Sequence, residues 1–408
     1  MREVVIVDGS RTPIGHFGKA LKNVPAVELG ALAIKETLKR AKLKPDLVED
    51  VIMGAIHQEG MGNNPARIAS LKAGIPPESG ALTINNVCSS GMKGVELAYD
   101  QIKLGKKDIV IAGGMESNSQ CPYMLINARW GYRLGNAELV DALYYDGFTD
   151  TYACYGNYDH IGETAENILA NAREISKNYN LSEINLDFNE INEFALSSHK
   201  KYFKALKEHF FKEIFPIDIQ LDTKNIKLKS DESPRKNLTL ETLNNLDPIF
   251  RKNGFVTVGN TPPLNDGAAA LILMSSDKAN ELKLKPLAKC VGFSEGNVPP
   301  DIMGIGPIPA IRNILKRHNY SNDNIDFFEV NEAQAQQVLF CIKALNIDIK
   351  KVNIHGGAIA MGHPPGMTGA RLILTSIYTM RYENKKRAIC SQCAGGGTGL
   401  AVLIEKYN

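Results

Sequence analysis

The sequence has little that would direct it to a membrane or a nucleic acid. No apolar run approaches the roughly 20 residues needed to cross a bilayer. The net charge is only +2, from 47 basic and 45 acidic side chains, so no global field attracts polyanions. No hydrophobic signal segment precedes the first strand-like run, residues 4–7. We therefore expect a protein of the cytoplasm with neither a membrane nor a nucleic acid as partner.

The seven cysteines also lack the pattern of a disulfide-stabilised domain, because they are odd in number and spread over 408 residues. Reduced thiols are the expectation. A content of 44% hydrophobic and 23% charged residues is typical of globular enzymes. A chain of this length exceeds one ordinary hydrophobic core, so two or three units with a continuous interior are predicted.

Short β-branched runs alternate with helical patterns at both ends of the chain, which predicts a mixed, largely parallel sheet covered by helices. Two glycine-rich passages, VCSSGMKG and HGGAIAMGHPPGMTG, each follow a strand-like run and lead into a helix, which suggests an ancient duplication. We predict an N-terminal half from residues 1–118 and 256–274 and a C-terminal half from residues 275–408. The runs expected to form strands or helices are residues 4–7, 26–40, 51–53, 109–112, 268–274, 308–317, 327–330 and 388–391.

Residues 119–255 are richer in Asn, Lys, Tyr and Phe and lack the regular alternation, so they are predicted to form an inserted lobe. Within it, residues 199–211 interleave basic and aromatic side chains. Such a pattern occurs in nucleic-acid surfaces. The commoner explanation, which we favour, is an amphipathic helix with its aromatics packed inward and its lysines in solvent.

Cys88 is predicted at or just before the start of a helix, because Met92, Val95, Ala98 and Ile102 recur at helical spacing after it. A helix dipole favours a thiolate there by about 0.3 to 1 kcal/mol. One pKa unit corresponds to about 1.36 kcal/mol, so the dipole alone leaves the thiol incompletely activated. A basic partner is needed if Cys88 is a nucleophile, and without one a buried structural thiol is the better interpretation.

A candidate partner lies in NIHGGAIAMGHPPGMTGAR, where His363 is followed by two prolines and surrounded by glycines. Such a passage forms a stiff turn that presents an imidazole at a fixed point. His355 in the same passage is equally available, and spacing alone does not choose between the two.

The passage CSQCAGGGTG contains a C-x-x-C pair, Cys390 and Cys393, for which zinc or redox chemistry must be considered. Zinc would need two more ligands, and the other cysteines make no second pair. A redox C-x-x-C pair usually lies at the start of a helix, whereas here three glycines follow the pair. We therefore favour a reactive Cys393 beside backbone amides that approach a ligand closely. In FFEVNEAQAQQ, Asn331 is either a helix cap beside Glu332 or a residue that positions a water or substrate oxygen.

Together these passages resemble the thiolase family, most closely its acetyl-CoA acetyltransferase type. The similarity covers nearly the whole chain, through SRTPIGHFGKAL, NNPARIASLKAGIP, VCSSGMKG, AGGMES, VTVGNTPPLNDGAAA, VNEA, GGAIAMGHP and CAGGG. The resemblance implies an α/β fold of five layers, αβαβα, built from two similar halves with an inserted loop lobe. It also implies a dimer or a tetramer.

The resemblance assigns roles at matching positions. It implies that Cys88 attacks an acyl-CoA thioester after His363 takes its proton, and that Cys393 removes an α-proton from a second acetyl-CoA. Asn331, through a water and with His363, would stabilise the enolate oxygen, and the amides of Cys88 and Gly395 the tetrahedral intermediate. CoA would lie against the lobe, near His160 and Arg235.

The sequence departs from the family pattern at several positions. Pro262 and Pro263 stand where Ser-Gly usually precedes NDGAAA, which removes a hydroxyl and two backbone donors. Gln334 replaces a common Phe, and His355 a common Asn. We therefore expect retained chemistry with altered CoA contacts.

The leading hypothesis is an acetyl-CoA C-acetyltransferase that needs no metal or prosthetic group. A degradative 3-ketoacyl-CoA thiolase of broader chain length is the alternative within the same chemistry. A catalytically impaired acyl-CoA-binding protein is the alternative outside it.

Overall fold

A computed structural model describes residues 2–149, 160–221 and 223–407. Each strand and helix expected from the two ends of the chain is present. The strands are β1 Val4–Arg11, β2 Gly15–His16, β3 Asp50–Gly54, β4 Gly80–Ile84, β5 Ile109–Ser117, β6 Tyr123–Met124, β7 Val140–Asp141, β8 Ile217–Leu221, β9 Lys224–Leu228, β10 Asn265–Ser275, β11 Ala288–Asn297, β12 Phe327–Val330, β13 Arg387–Ala394 and β14 Thr398–Lys406. The helices are α1 Ala26–Ala41, α2 Pro65–Lys72, α3 Ser90–Lys103, α4 Ala142–Gly147, α5 Glu163–Ala170, α6 Ala172–Asn178, α7 Phe188–Lys207, α8 Leu240–Asn244, α9 Ser276–Glu281, α10 Pro307–Arg317, α11 Ala335–Ala344, α12 Ala358–Met361 and α13 Pro365–Tyr382.

Ten strands form one sheet in the order β12-β13-β14-β11-β1-β10-β5-β3-β4, with β2 beside β10. Within the described residues, parallel pairing joins only β3 to β4, β3 to β5 and β12 to β13. The prediction of a largely parallel sheet is therefore wrong. The reason is that β10 and β14, the last strands of their halves, each return antiparallel beside an earlier strand. Hydrophobic periodicity identifies strands but carries no information on their direction.

The two halves of the sheet follow the same plan. From the centre outward, one half runs β1, β10, β5, β3 and the other runs β11, β14, β13, β12. In both halves the first two pairings are antiparallel and the third is parallel. This repeated topology agrees with two similar halves. Because β10 pairs with β1 and β5, we propose that residues 256–274 belong with residues 1–118.

Three hydrophobic clusters separate five layers. The central cluster joins α3 and α13 to the inner faces of both half-sheets. One outer cluster joins α1 and α2 to the outer face of the first half-sheet. The other joins α10 and α11 to the outer face of the second. Strand β5 illustrates the arrangement, since Val110 and Ala112 face the central cluster and Ile109 and Ile111 an outer one. A strand buried on both faces needs a continuous apolar run, which is what made it recognisable in the sequence.

The region between residues 119 and 255 contains helix α7, the β8–β9 hairpin and long irregular stretches. Helix α7 is amphipathic as predicted, with Tyr202 buried and Lys200, Lys204 and Lys207 exposed. A buried ion pair anchors the region to β1, because the Arg11 guanidinium donates to both carboxylate oxygens of Asp231 at 2.7 and 3.0 Å. No helix in the described residues is long and apolar enough to cross a membrane.

Candidate active site

Cys88 lies in the tight connection between β4 and α3, two residues before the helix begins. Val87 has φ 49°, a left-handed conformation that is unusual for a β-branched residue. The Ser90 hydroxyl stabilises this turn by donating to the Val87 carbonyl at 2.6 Å and accepting from the Asn86 amide at 2.8 Å. The predicted position of Cys88 at a helix start is confirmed.

His363 lies in the turn before α13, and close contact between α3 and α13 brings it to Cys88. A Cβ at Gly91 would lie 2.7 Å from the carbonyl oxygen of Gly366, so only glycine allows this approach. The His363 amide donates to Asn265 Oδ1 at 2.9 Å, which fixes the turn on β10. Cys88 and His363 line the same cavity.

The hydrogen bonds of His363 define its tautomer. Thr368 Oγ1 donates to the Pro364 carbonyl at 2.7 Å, so it accepts from Nδ1–H of His363, also at 2.7 Å. The unprotonated Nε2 therefore faces Asn331 Nδ2, 3.5 Å away. Burial, followed by the charge of Arg371, lowers the pKa of His363 to about 3, so the imidazole is neutral at physiological pH. A neutral imidazole with a free Nε2 is ready to act as a base.

His355, the other histidine of this passage, lies elsewhere. Its ring stacks on Phe210 with centroids 3.6 Å apart, and its Nδ1 is 3.2 Å from Thr379 Oγ1. It is 4% exposed, so it packs in the interior, and of the two histidines in this passage it is His363 that lines the cavity.

Cys393 lies near the end of β13 and is 1% exposed. Burial raises its pKa well above the ordinary value, and the neighbouring Cys88 raises it further. Cys390 contacts the Ser376 hydroxyl in the central layer, with 3.1 Å between Sγ and Oγ. Residues three apart in a strand point to opposite faces, so these two thiols form neither a zinc nor a redox pair.

Gly395 lies in the turn between β13 and β14 and directs its amide at the Cys88 sulfur. Burial raises the pKa of Cys88 to about 11, although the Gly395 amide opposes the shift. Desolvation therefore outweighs the backbone hydrogen bonds that lower the pKa, and the resting Cys88 is a neutral thiol. The Gln392 side chain also donates to the Cys88 carbonyl at 2.7 Å, which ties Cys88 to β13.

Asn331 is not the cap of α11, because that position belongs to Gln334. Asn331 is fully buried, and its backbone amide donates to the Ser391 carbonyl at 2.9 Å. Its Oδ1 is buried without a hydrogen-bond partner within the described residues. Glu332 instead accepts from the Ser198 hydroxyl at 2.7 Å and connects this passage to α7.

A cavity of about 670 Å³ opens in front of Cys88 and His363. The residues expected to contact CoA all line it, namely His160, Arg235, Pro262, Pro263 and Gln334. His160 stacks on Phe148 with centroids 5.3 Å apart and parallel rings, and burial lowers its pKa. Arg235 donates to the Val258 carbonyl at 3.1 Å, at the outer part of the same wall. Cys154 lies outside the described residues.

Two residues of the site were missed by sequence reasoning. Thr368 sets the tautomer of His363 from the first turn of α13. The Glu116 carboxylate accepts from the amides of Ile56, His57 and Gly366 at 3.0 to 3.2 Å and holds three cavity segments together. Burial raises the pKa of Glu116 to about 7. Glu116 stands inside the AGGMES passage, so an acidic residue in an otherwise apolar strand was the available signal.

The sequence and the fold both match known proteins over their whole length. Residues 4–277 match the model of the thiolase N-terminal domain and residues 284–406 that of the thiolase C-terminal domain. A probable acetyl-CoA acyltransferase of Staphylococcus aureus (strain N315) is 42% identical over 409 residues, with 100% of both chains covered.

Two solved structures superpose closely. One is the acetyl-CoA acetyltransferase of Bacillus anthracis, with a TM-score of 0.92, 42% identity and 100% and 99% of the two chains covered. The other is the human mitochondrial 3-ketoacyl-CoA thiolase, with a TM-score of 0.92, 37% identity and 99% of each chain covered. The protein is thus an acyltransferase with the five-layered fold that its sequence predicts, and the chain belongs to the thiolase family.

Proposed function

We propose that the protein is an acetyl-CoA C-acetyltransferase, which reversibly joins two acetyl-CoA molecules into acetoacetyl-CoA and CoA. The observation that supports this most directly is the convergence on one nucleophile. The Gly395 amide points at the Cys88 sulfur, Cys88 is close enough to Cys393 to raise the pKa of its thiol, and the His363 imidazole shares the cavity. Related proteins are named for the same chemistry.

In the first step the Cys88 sulfur attacks the thioester carbon while His363 Nε2 takes the thiol proton. Both groups are neutral at rest, so the proton moves during the attack and not before it. The negative oxygen of the tetrahedral intermediate would lie at the amides of Cys88 and Gly395, which already face the sulfur. Collapse forms acetyl-Cys88 and expels CoA, which takes the proton of Cys393.

In the second step the Cys393 thiolate removes an α-proton from a new acetyl-CoA. Its raised pKa makes it a strong base, and the imidazolium of His363 offsets its charge. The enolate oxygen is stabilised by His363 together with Asn331, whose amide nitrogen is 3.5 Å from Nε2. The enolate carbon attacks acetyl-Cys88, and Cys88 leaves as a thiolate that regains its proton from His363.

Incubation with radiolabelled acetyl-CoA, followed by peptide mapping, tests this proposal. We expect label on Cys88, none in Cys88→Ser, and normal labelling in the matched Cys390→Ser variant, whose thiol faces the central layer. Acetoacetyl-CoA formation should be lost in Cys393→Ser although labelling persists. Absence of label in the wild type would contradict the proposal and favour an acyl-CoA-binding protein without turnover.

The degradative alternative predicts efficient thiolysis of long 3-ketoacyl-CoA substrates. It draws support from the structural similarity to the human 3-ketoacyl-CoA thiolase. A series of 3-ketoacyl-CoA chain lengths separates the two. We expect kcat/KM to be greatest for acetoacetyl-CoA, and a maximum at longer chains would assign the degradative activity.

We also propose that the protein forms dimers or tetramers in the cytoplasm. Trp130 is 86% exposed and Leu134 is 99% exposed on the segment between β6 and β7, an apolar surface suited to association. Two reduced cysteines in the mechanism favour a reducing compartment. Light scattering should give a dimer or larger, and Trp130→Asp with Leu134→Asp should reduce its mass.

A further inference from the structure

A second group of chemically active side chains lies beside the catalytic residues. One ligand atom each of His57, Glu59 and Cys121 lies within 4.8 Å of the other two. None of them takes part in the proposed acyl transfer. A neutral imidazole, a carboxylate and a thiolate are the donor types that bind Zn²⁺ most often.

The topology explains why these three residues meet. Strands β3 and β5 are adjacent and parallel, with Gly54 opposite Gly114. Their carboxyl ends therefore open at the same sheet edge, where ligands collect in α/β proteins. His57 and Glu59 follow the end of β3, and Cys121 follows the short 3₁₀ turn Asn118–Gln120 after β5.

Two polar atoms of the group are buried without hydrogen-bond partners among the described residues. His57 is 5% exposed, yet its Nδ1 is buried with no hydrogen-bond partner among the described residues. Glu59 Oε2 is likewise buried and unpaired. An unsatisfied buried polar atom costs free energy, so a ligand that satisfies both atoms would stabilise this arrangement.

The backbone on one side of the group is fixed. The Glu116 carboxylate accepts from the amides of Ile56 and His57 at 3.1 and 3.2 Å. The surroundings are acidic as well, because the carboxyl groups of Asp141 and Asp146 are near enough to interact electrostatically with His57. Negative charge around the group attracts a divalent cation.

We propose that His57, Glu59 and Cys121 bind one Zn²⁺ ion, with a fourth position left to water. Tetrahedral Zn–S and Zn–N bonds of about 2.3 and 2.1 Å place ligand atoms roughly 3.5 Å apart, so the side chains need to approach by about 1 Å. His57 lines the same cavity as Cys88, which places the ion in the cavity wall. The ion is not a catalyst here, and its role is to tie the segments after β3 and β5 together.

The full-length protein, stripped of metal by a chelator, tests the site by competitive Zn²⁺ titration and by Co²⁺ spectroscopy. We expect one equivalent of Zn²⁺ per chain, a thiolate-to-cobalt charge-transfer band, and a higher melting temperature with zinc. Cys121→Ser and Glu59→Gln should each weaken binding at least about tenfold. Cys121→Ser should also lose the band. Mg²⁺ should not compete, since it avoids thiolates.

The catalytic thiols are the alternative source of binding, and Cys88→Ser is the control for them. Retention of the zinc equivalent in Cys88→Ser and its loss in Cys121→Ser support the proposal. Loss in Cys88→Ser with retention in Cys121→Ser would overturn it. A wild type that binds less than one equivalent would overturn it too, while the acetyl-labelling of Cys88 reports separately on the proposed acyltransferase.

Discussion

The hydrogen bond between His363 and Thr368 gives the sharpest test of the catalytic geometry. Replacing Thr368 by the isosteric Val removes the oxygen that accepts from Nδ1–H at 2.7 Å. The fold should tolerate the change, because the Pro364 carbonyl still accepts from the amides of residues 367 and 368 at 3.1 and 3.0 Å. Only the support of the imidazole is lost.

The magnitude follows from the charge that His363 gains during attack by Cys88. A hydrogen bond to a charged group contributes about 1.5 to 3 kcal/mol, compared with about 1 kcal/mol between neutral groups. Only the difference between these two values, about 0.5 to 2 kcal/mol, is gained in the transition state. At 1.36 kcal/mol per factor of ten, Thr368→Val should slow acetylation of Cys88 by roughly 2-fold to 30-fold. Because the pKa of His363 is about 3, the loss should be nearly constant between pH 5 and 8.

Single-turnover acetylation with acetyl-CoA, followed by quenching and mass spectrometry, measures this step directly. Thr375→Val is the matched control, since Thr375 is buried on the same helix and its hydroxyl is 3.4 Å from Glu213 Oε1, away from the cavity. Substrate affinity should change little in either variant. A Thr368→Val rate equal to that of the wild type, or an equal loss in Thr375→Val, would refute the assigned role.

Three further predictions concern the cavity and the interior. Glu116→Gln should lower the free energy of unfolding by about 1 to 3 kcal/mol, because an amide NH₂ would meet backbone donors; an unchanged urea midpoint would contradict this. Pro262→Ser with Pro263→Gly should lower the Michaelis constant for acetyl-CoA by restoring a hydroxyl and backbone donors, and an unchanged or raised value would refute the idea. Burial lowers the pKa of His355 to about 4, below its unfolded value of about 6.5. Stability from this group is therefore complete above pH 6.5 and is lost as the pH falls toward 4. Between pH 6.5 and 5 the wild type should lose about 2 kcal/mol of its free energy of unfolding through this group, and His355→Asn should not. If the free energies of unfolding of the two proteins fall in parallel with pH, the reasoning is wrong.

The elements of the fold were predictable where burial leaves a local signature. The strand Phe327–Val330 was predicted with its observed ends, because Phe327, Phe328 and Val330 are apolar and only the buried Glu329 interrupts the run. Strand direction was not predictable, since β10 pairs with β1 across more than half of the chain. That pairing depends on which surfaces meet after folding, and residues far apart in sequence carry no local trace of it.

The candidate catalytic residues Cys88, His363 and Cys393 were predictable because each stands in a short passage with an unusual local composition. Thr368 and Glu116 also stand in such passages, HGGAIAMGHPPGMTG and AGGMES, but their roles arise from what lies opposite them in the fold. The same reason prevented a choice between His355 and His363. His355 and His363 stand in the same glycine-rich passage. Only the structure, in which the His355 ring stacks on Phe210, distinguishes the packing histidine from the candidate base.

The C-x-x-C passage shows how one local error can leave a chemical question open. The sequence predicted a strand over residues 388–391, which contains Cys390 but ends before Cys393, so the relative direction of the two thiols was not predicted. The strand extends through Ala394, and in a strand the side chains alternate between faces. Cys390 and Cys393 are three residues apart, so a strand that contains both must direct them to opposite sides. Zinc binding or disulfide formation by this pair would require β13 to end earlier, which would also remove the Gly399 partner of Cys393 in β14. The pairing that excludes the metal and redox explanations is thus the same pairing that holds Cys393 against Cys88.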